Sequence, residues 1–188
     1  HKVDGKLYFE IPVKYLGREM LLASTLTSTS SNDFCDVGYK QNDPMHIKFT
    51  KIDSTIYLNE VNAYVTSNPN EPSLQKAIDK NFMDAVLYSY KIAAYNPDST
   101  AVVIDVTPVF TTDMKEFAFL PTSIMGLIQV VTTFNKDGSA LGEIKAFDDN
   151  LTVKSMLSYK MSLRFMSFSL LDNMPLTAMV TRSLLLLP

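Results

Sequence analysis

Histidine, cysteine and clustered carboxylates most often carry catalysis or bind metals, and this sequence contains few of them. It has two histidines, His1 and His46, and a single cysteine, Cys35. A zinc site needs several such ligands at short spacings, and no HExxH, CxxC, GxSxG or glycine-rich phosphate-binding motif is present. We therefore predict that this chain is not an enzyme, with no catalytic residues, no metal ligands and no cofactor.

The carboxylates offer weaker candidates. Asp33 and Asp36 flank Cys35 in a long loop predicted from Ser28 to Pro44, and 148–150 read Asp-Asp-Asn. Oxygen ligands of this kind suit calcium, but the spacing of a calcium-binding loop is missing. Solvated turn residues are the simpler interpretation. Asp105 interrupts an apolar run, and we expect it to cap the backbone at Thr107-Pro108.

Aromatic side chains raise the possibility of a stacking surface, since the chain has nine tyrosines and eleven phenylalanines. Tyr88 and Tyr90 are two residues apart in a predicted strand and therefore share one face. They form a candidate binding face for a glycan or a peptide. Ordinary packing or a subunit contact explains the same pattern equally well.

Composition excludes some partners. The 188 residues include 17 Lys and Arg against 20 Asp and Glu, giving a net charge of −3. Nucleic-acid-binding proteins instead concentrate positive charge, so we expect no nucleic-acid partner. The longest uninterrupted apolar run is Leu184 to Leu187, whereas a membrane-spanning helix needs about 20 residues. We predict no transmembrane segment in this chain.

Alternation of apolar and polar residues predicts that most of the chain is β-strand. The strongest pattern runs from Leu151 to Phe165, where apolar residues occupy nearly all odd positions. We expect a bend or turn near 159–162 because strands are rarely so long. One hairpin is predicted from 45–50 to 55–58. Another is predicted from 127–134 to 143–147 through Asp137-Gly138, a pair typical of tight turns.

Two short helices complete the prediction, at about 72–83 and 108–117, where apolar residues recur at helical spacing and prolines lie in the first turn. The fold class is mainly β or α+β, built on antiparallel sheet. We expect residues 1–188 to form a single domain. Because the chain starts at His1 rather than Met and stops in an apolar run, we interpret it as a fragment of a longer protein.

The last predicted strand, Leu176 to Leu187, ends in four consecutive leucines. Alternate side chains of a strand point to opposite faces, so Leu184, Leu185, Leu186 and Leu187 require apolar cover on both faces. One cover could belong to another domain, which makes these leucines a candidate docking surface. The alternative is a strand covered twice by this domain itself.

Several segments, in order along the chain, resemble the domain of unknown function 5117. They are the opening Lys2–Pro12 with Leu16–Leu22, the segment Val103–Asp113 that contains Asp-Val-Thr, the strand Phe147–Tyr159, and the closing Ser183–Pro188. That domain precedes the catalytic region of large zinc-dependent metalloproteases of the met-zincin type, mainly from Bacteroidetes. The HExxH helix of that family lies downstream, and no residue here matches it.

The resemblance implies a context rather than a chemistry. It implies an extracytoplasmic location (periplasmic, outer-membrane-anchored or secreted) and a role as the non-catalytic N-terminal accessory domain of a metalloprotease, with the catalytic domain as partner in cis. A different function remains open from the residues alone. It is a stand-alone extracytoplasmic binding module that recognises a glycan or peptide through Tyr88 and Tyr90 or through the loop 28–44.

Overall fold

The computed structural model describes residues 1–38, 42–62 and 72–187. The strands within these ranges are β1 (Lys2–Val3), β2 (Lys6–Pro12), β3 (Glu19–Thr29), β4 (Met45–Ile52), β5 (Thr55–Glu60), β6 (Ala85–Tyr95), β7 (Ala101–Asp105), β8 (Ser123–Ile124), β9 (Ile128–Ala146), β10 (Asn150–Phe165) and β11 (Phe168–Leu186). They form one antiparallel sheet in the order β1-β2-β7-β6-β5-β4-β3-β11-β10-β9-β8. The predicted fold class is confirmed.

Two short α-helices lie within the described residues, α1 (Pro72–Asn81) and α2 (Thr107–Thr111). The helix predicted at 72–83 is therefore present. The helix predicted at 108–117 is wrong in its extent, because α2 ends at Thr111 and a separate 3₁₀ turn spans Lys115–Phe117. Both pieces still bury their aromatic residues, Phe110 and Phe117, in the core, so the apolar pattern identified the buried side chains but not the chain path between them.

The alternation along β10 matches the burial of its side chains. Val153, Leu157, Tyr159, Met161 and Leu163 are all buried, whereas Lys160 and Arg164 on the opposite face are exposed. No turn interrupts the strand near 159–162. β10 stays continuous over its whole length, and the irregularity appears as shifts in its pairing with β11 between Met161 and Arg164.

The hairpin predicted through Asp137-Gly138 is wrong. β9 runs through this segment as one strand, and its pairing with β10 skips from Asn135 to Ala140. The intervening residues form a bulge. A tight hairpin turn would need positive φ at Gly138, but Gly138 is not among the residues that have positive φ. Instead, Gly138 lies against Ser158 so closely that a Cβ atom would be 2.9 Å from the Ser158 Cβ atom, and close approach explains the glycine. The other predicted hairpin, β4 to β5, is confirmed.

The sheet curls so that strands distant in its order meet around α2. One buried cluster combines Leu7 of β2, Ile104 of β7, Phe110 of α2 and Val153 of β10. Near the same place, the Lys2 ammonium group donates to the backbone oxygen of Gly142 on β9, at 3.3 Å. α2 therefore fills part of the interior of the curled sheet and packs against several of its strands.

A buried arginine fixes α2 to this interior. The Arg182 guanidinium on β11 donates to the backbone oxygen of Val109 and lies 5.1 Å from the ring centroid of Phe117. Burial lowers the pKa of Arg182 to about 10, although Tyr159 and Asp113 partly oppose this effect. Arg182 thus connects α2 and the 3₁₀ turn to β11.

The start of α2 depends on Asp105, as the sequence predicts. Asp105 Oδ1 accepts a hydrogen bond from the Thr107 backbone N–H at 3.0 Å, and its Oδ2 lies 3.2 Å from the Lys6 ammonium nitrogen. Thr107 uses its own hydroxyl oxygen to accept from the Leu7 N–H at 2.9 Å. Burial alone would raise the pKa of Asp105, but the Thr107 hydrogen bonds and Lys6 lower it below the usual range.

Replacing Asp105 with alanine should therefore reduce stability in a pH-dependent way. At pH 7 we expect a loss of about 1 kcal/mol in the free energy of unfolding, the usual value of a capping side chain. Because the folded pKa is lowered, the contribution is present above the unfolded pKa of about 3.9 and disappears as the pH falls through the folded pKa. Urea titrations of both proteins between pH 2 and pH 7 measure this. A difference that stays constant over that range would contradict it.

Candidate docking surfaces

Four leucines, Leu184 to Leu186 at the end of β11 and Leu187 directly after it, are only partly covered by the described residues. We call them the leucine surface. Leu184 and Leu186 point inward and pack against the buried cluster around α2. Leu185 points to the opposite face and is 39% exposed, beside its cross-strand neighbour Leu21. The sequence predicted that these leucines need apolar cover on both faces of the strand, and this chain covers the outer face only in part.

An open groove lies on the inward side of the leucine surface. Its walls come from β2, the ends of β9 and β10, and β11, and it has a volume of about 170 Å³. Most of the lining is apolar, and it includes Phe9, Ile11, Phe49, Leu151, Leu184 and Leu186. The groove exists because β2 and β9 approach each other across the curled sheet without pairing.

Hydrogen bonds other than those of the strand pairing fix the end of β11 in place. Arg18, in the turn before β3, donates from Nε and Nη2 to the backbone oxygen of Leu187, at 3.0 and 2.7 Å. The Leu186 N–H donates to the Asp149 backbone oxygen at 2.8 Å. The leucine surface is consequently a fixed part of the sheet, which lowers the entropic cost of docking. The Asp148-Asp149 pair lies in the turn between β9 and β10, as predicted.

The candidate face at Tyr88 and Tyr90 is placed mostly inside the protein. The two ring centroids are 4.9 Å apart. Tyr90 is only 4% exposed and packs against Phe49, and burial raises its pKa. Tyr88 is half-buried beside it. A ligand at this place would contact Tyr88 rather than both rings, and recognition of a glycan or peptide there stays a prediction.

The loop predicted from Ser28 to Pro44 begins inside β3, and residues 39–41 lie outside the described part. Cys35 is buried, and this burial raises the pKa of its thiol. Its sulfur lies 3.7 Å from the Thr29 hydroxyl oxygen, which indicates a packing role. His46 is half-buried on the outer face of β4, with Nε2 2.8 Å from Glu19 Oε2.

A third exposed surface was not predicted from the sequence. It consists of the apolar side chains at two neighbouring hairpin turns, β8–β9 and β10–β11, and we call it the apical patch. Its members are Met125, Leu127, Phe165, Met166, Phe168 and Leu170, all exposed. The sequence signal was available, since Met125-Gly126 and Met166-Ser167 place apolar residues where turns usually carry polar ones.

The His, Cys, Asp and Glu side chains of the described ranges form no metal-binding cluster. Among residues 1–38, 42–62 and 72–187, no three His, Cys, Asp or Glu side chains are placed to hold a metal ion. In the same part of the chain, no helix is long and apolar enough to cross a membrane. The geometry is that of an antiparallel β-domain whose distinctive features are apolar surfaces.

Comparison with known families agrees with most of the resemblance seen in the sequence. Residues 38–188 match the domain of unknown function DUF5117, and residues 1–29 match the domain of unknown function DUF5118. The chain belongs to the DUF5117 family. The opening segment had been assigned to DUF5117 on its sequence, and this is corrected to DUF5118. No curated protein and no solved structure matches the chain.

The two matched segments are interleaved in one sheet. β3, from the DUF5118 segment, lies between β4 and β11, and β2 lies beside β7. The core cluster around α2 likewise contains Leu7 and Leu22 from the first segment and Val153 from the second. In this chain the two families therefore share one hydrophobic core.

Proposed function

We propose that this chain is the non-catalytic N-terminal accessory domain of a secreted or surface zinc metalloprotease, and that the leucine surface packs on the catalytic domain in cis. The observation that carries the proposal is the uncovered end of β11. Leu185 is exposed on one face, and on the other Leu184 and Leu186 line an open apolar groove. Exposed apolar surface next to an apolar groove is typical of interaction sites.

The shape of the two faces fits a domain interface better than a small-ligand site. The volume of the groove, about 170 Å³, is below the roughly 300–1,000 Å³ that is usual for small-ligand sites. Its wall at β2 is also a strand edge: β1 pairs with β2 only at Lys6 and Leu7, which leaves the edge beyond Tyr8 open. A segment of the catalytic domain can fill such a groove with apolar side chains and pair with an open edge.

Charge around the surface supports a mixed apolar and polar contact. Glu10, Asp148 and Asp149 line the groove, while Arg18 lies at the end of β11 and is held by Leu187. Interfaces commonly surround an apolar centre with a polar rim of this kind. We expect the open reading frame that contains this domain to encode an HExxH motif downstream, and to direct the protein out of the cytoplasm.

Leu185→Arg in the intact parent protein tests the docking. Docking would bury the 39% of Leu185 that this chain leaves exposed; this contributes about 1 kcal/mol, which corresponds to a fall in Tm of about 2–4 °C for a domain of this size. We expect this fall in the intact protein, measured by calorimetry, in addition to any smaller change that the variant causes in the isolated chain, where Leu185 is already partly covered.

Leu74→Arg is the matched control, because Leu74 is similarly exposed, at 46%, but lies on α1. It should leave the Tm of the intact protein unchanged. Equal shifts for the two variants in the intact protein would show that the leucine surface is not the interface.

A further inference from the structure

The curled sheet leaves a gap between β2 and the end of β9, and we call this gap the seam. Nine strands lead from β2 to β9 in the sheet order, and each pairs antiparallel with the next. Eight antiparallel pairings reverse the chain direction an even number of times, so β2 and β9 run in the same direction. The two edges of the seam are therefore parallel, and within the described ranges no pairing joins them.

β1 already lies at one end of this seam. It pairs antiparallel with β2, with Lys2 opposite Leu7, and the Lys2 ammonium group reaches the backbone oxygen of Gly142 on β9. Further along, Pro12 and Ala146 face each other as walls of the apolar groove, with no strand between them in the described residues. β1 thus has the direction that is antiparallel to both edges, but it fills only the first part of the seam.

The backbone of β2 directs unpaired groups into the seam. Tyr8 exchanges two hydrogen bonds with His1: its N–H donates to the His1 oxygen at 2.8 Å, and its oxygen accepts from the His1 ammonium group at 2.9 Å. Leu7 uses its N–H and its carbonyl oxygen on the opposite side, toward the start of α2. Because backbone groups of a strand point to alternate edges, Glu10 directs its N–H and carbonyl oxygen the same way as Tyr8, into the seam beyond the pairing with β1.

β9 presents the matching edge. The Phe147 N–H donates to the Asn150 oxygen on β10 at 2.7 Å, so Ala146, and Ile144 two residues earlier, direct their backbone groups away from β10 and into the seam. The side chains of these two residues line the inner side of the groove, whereas Glu10 belongs to the exposed face of β2. A single strand satisfies both edges, because its inward-facing residues would pair with β9 and its outward-facing residues with β2.

We propose that the seam binds one short extended strand of the catalytic domain, which runs antiparallel to both β2 and β9 and closes the gap in the sheet. Its inward side chains are apolar, since they meet Phe9, Leu151 and Leu184 in the groove, and its outward side chains are polar. The pairing ends at Pro12, which has no N–H to donate. This inference deepens the proposed function and rests on it, because that function supplies the catalytic domain as the partner.

The two backbone edges identify the occupant as a polypeptide strand. A lipid or a glycan carries no run of N–H and C=O groups at strand spacing on two opposite sides. A second copy of this chain would have to give up pairing of its own, since its described strands already belong to the sheet. The catalytic domain is placed to supply the strand, because Leu184 and Leu186 of the leucine surface line the same groove.

Hydrogen exchange at the Glu10 and Ala146 amides tests the proposal. Both residues are exposed in this chain, and neither amide is paired within the sheet. In the intact parent protein we expect both amides to exchange about a hundredfold more slowly than in the isolated chain, measured by mass spectrometry of overlapping peptides. Slow exchange at one edge only, or equal exchange in the two proteins, overturns the strand. If Leu185 is covered in the intact protein while both amides still exchange fast, the docking stands and the strand insertion is wrong.

Glu10→Pro removes an N–H that faces the seam and none that pairs with β7, so the isolated chain should keep its fold in a thermal melt. In the intact protein the exchange at Ala146, across the seam, should rise about tenfold. Glu10→Gln is the matched comparison, because it also loses the carboxylate beside His1 but keeps the N–H, and Ala146 should stay protected. Equal exchange at Ala146 in the two variants overturns the proposal. Protection that persists in a parent protein cut after Pro188 also overturns it, because the strand would then come from another segment.

Discussion

Leu157→Asp should abolish folding of the domain at 25 °C. Leu157 is fully buried on the inward face of β10, where Ala178 is its partner on β11. Placing a carboxylate there without a partner costs several kcal/mol, which is comparable to the whole stability of a typical domain, about 5–15 kcal/mol. Circular dichroism and a thermal melt measure the result.

Lys160→Asp is the control on the same strand. Lys160 is three residues away, on the exposed face of β10. The introduced aspartate carboxylate therefore stays in water, and the Tm should change by no more than a few degrees. If both variants unfolded alike, the assignment of the two faces of β10 would be incorrect.

Phe110→Ala should cost about 3–5 kcal/mol in the free energy of unfolding, the usual range for deleting a buried phenylalanine. Phe110 is 3% exposed, and its ring lies 5.8 Å from that of Phe9 on β2. Because α2 lies inside the curled sheet, the cavity would open beside Phe9 of β2 and Leu184 of β11, and the surrounding strands have little room to collapse into it. Urea unfolding measures the loss.

Phe82→Ala provides the comparison, because Phe82 follows α1 and is 44% exposed. Its loss should be below about 1 kcal/mol, as for most surface substitutions. A similar cost at both positions would mean that α2 does not anchor the core.

The local sequence pattern was sufficient to predict the structure where one face of a strand is buried and the other is exposed to solvent. The alternation from Leu151 to Phe165 identified the buried side of β10 because the core inside the curled sheet covers only that side. The predicted capping role of Asp105 was likewise local, since donor and acceptor are two residues apart. Such features depend on the backbone geometry of a few residues.

Long-range pairing explains what the sequence did not reveal. Asp137-Gly138 suggested a turn, but β9 gains more by pairing with β10 along its whole length, and the extra residues are accommodated as a bulge. The groove brings together Phe9, Leu151 and Leu186 from distant parts of the chain, and no local pattern joins them. The apical patch was missed for a similar reason, since it forms only when two hairpins become neighbours.

The solvent exposure of Leu185 in the intact protein tests the docking proposal most directly. We would introduce Leu185→Cys and measure its rate of modification by a maleimide, with the peptides identified by mass spectrometry and Leu74→Cys as the reference site. The native Cys35 is buried and contributes little labelling. The account predicts that the cysteine introduced at position 185 reacts at least tenfold more slowly in the intact protein than in the isolated chain, while the reference site reacts equally in both. Equal rates at position 185 in the two proteins would contradict it.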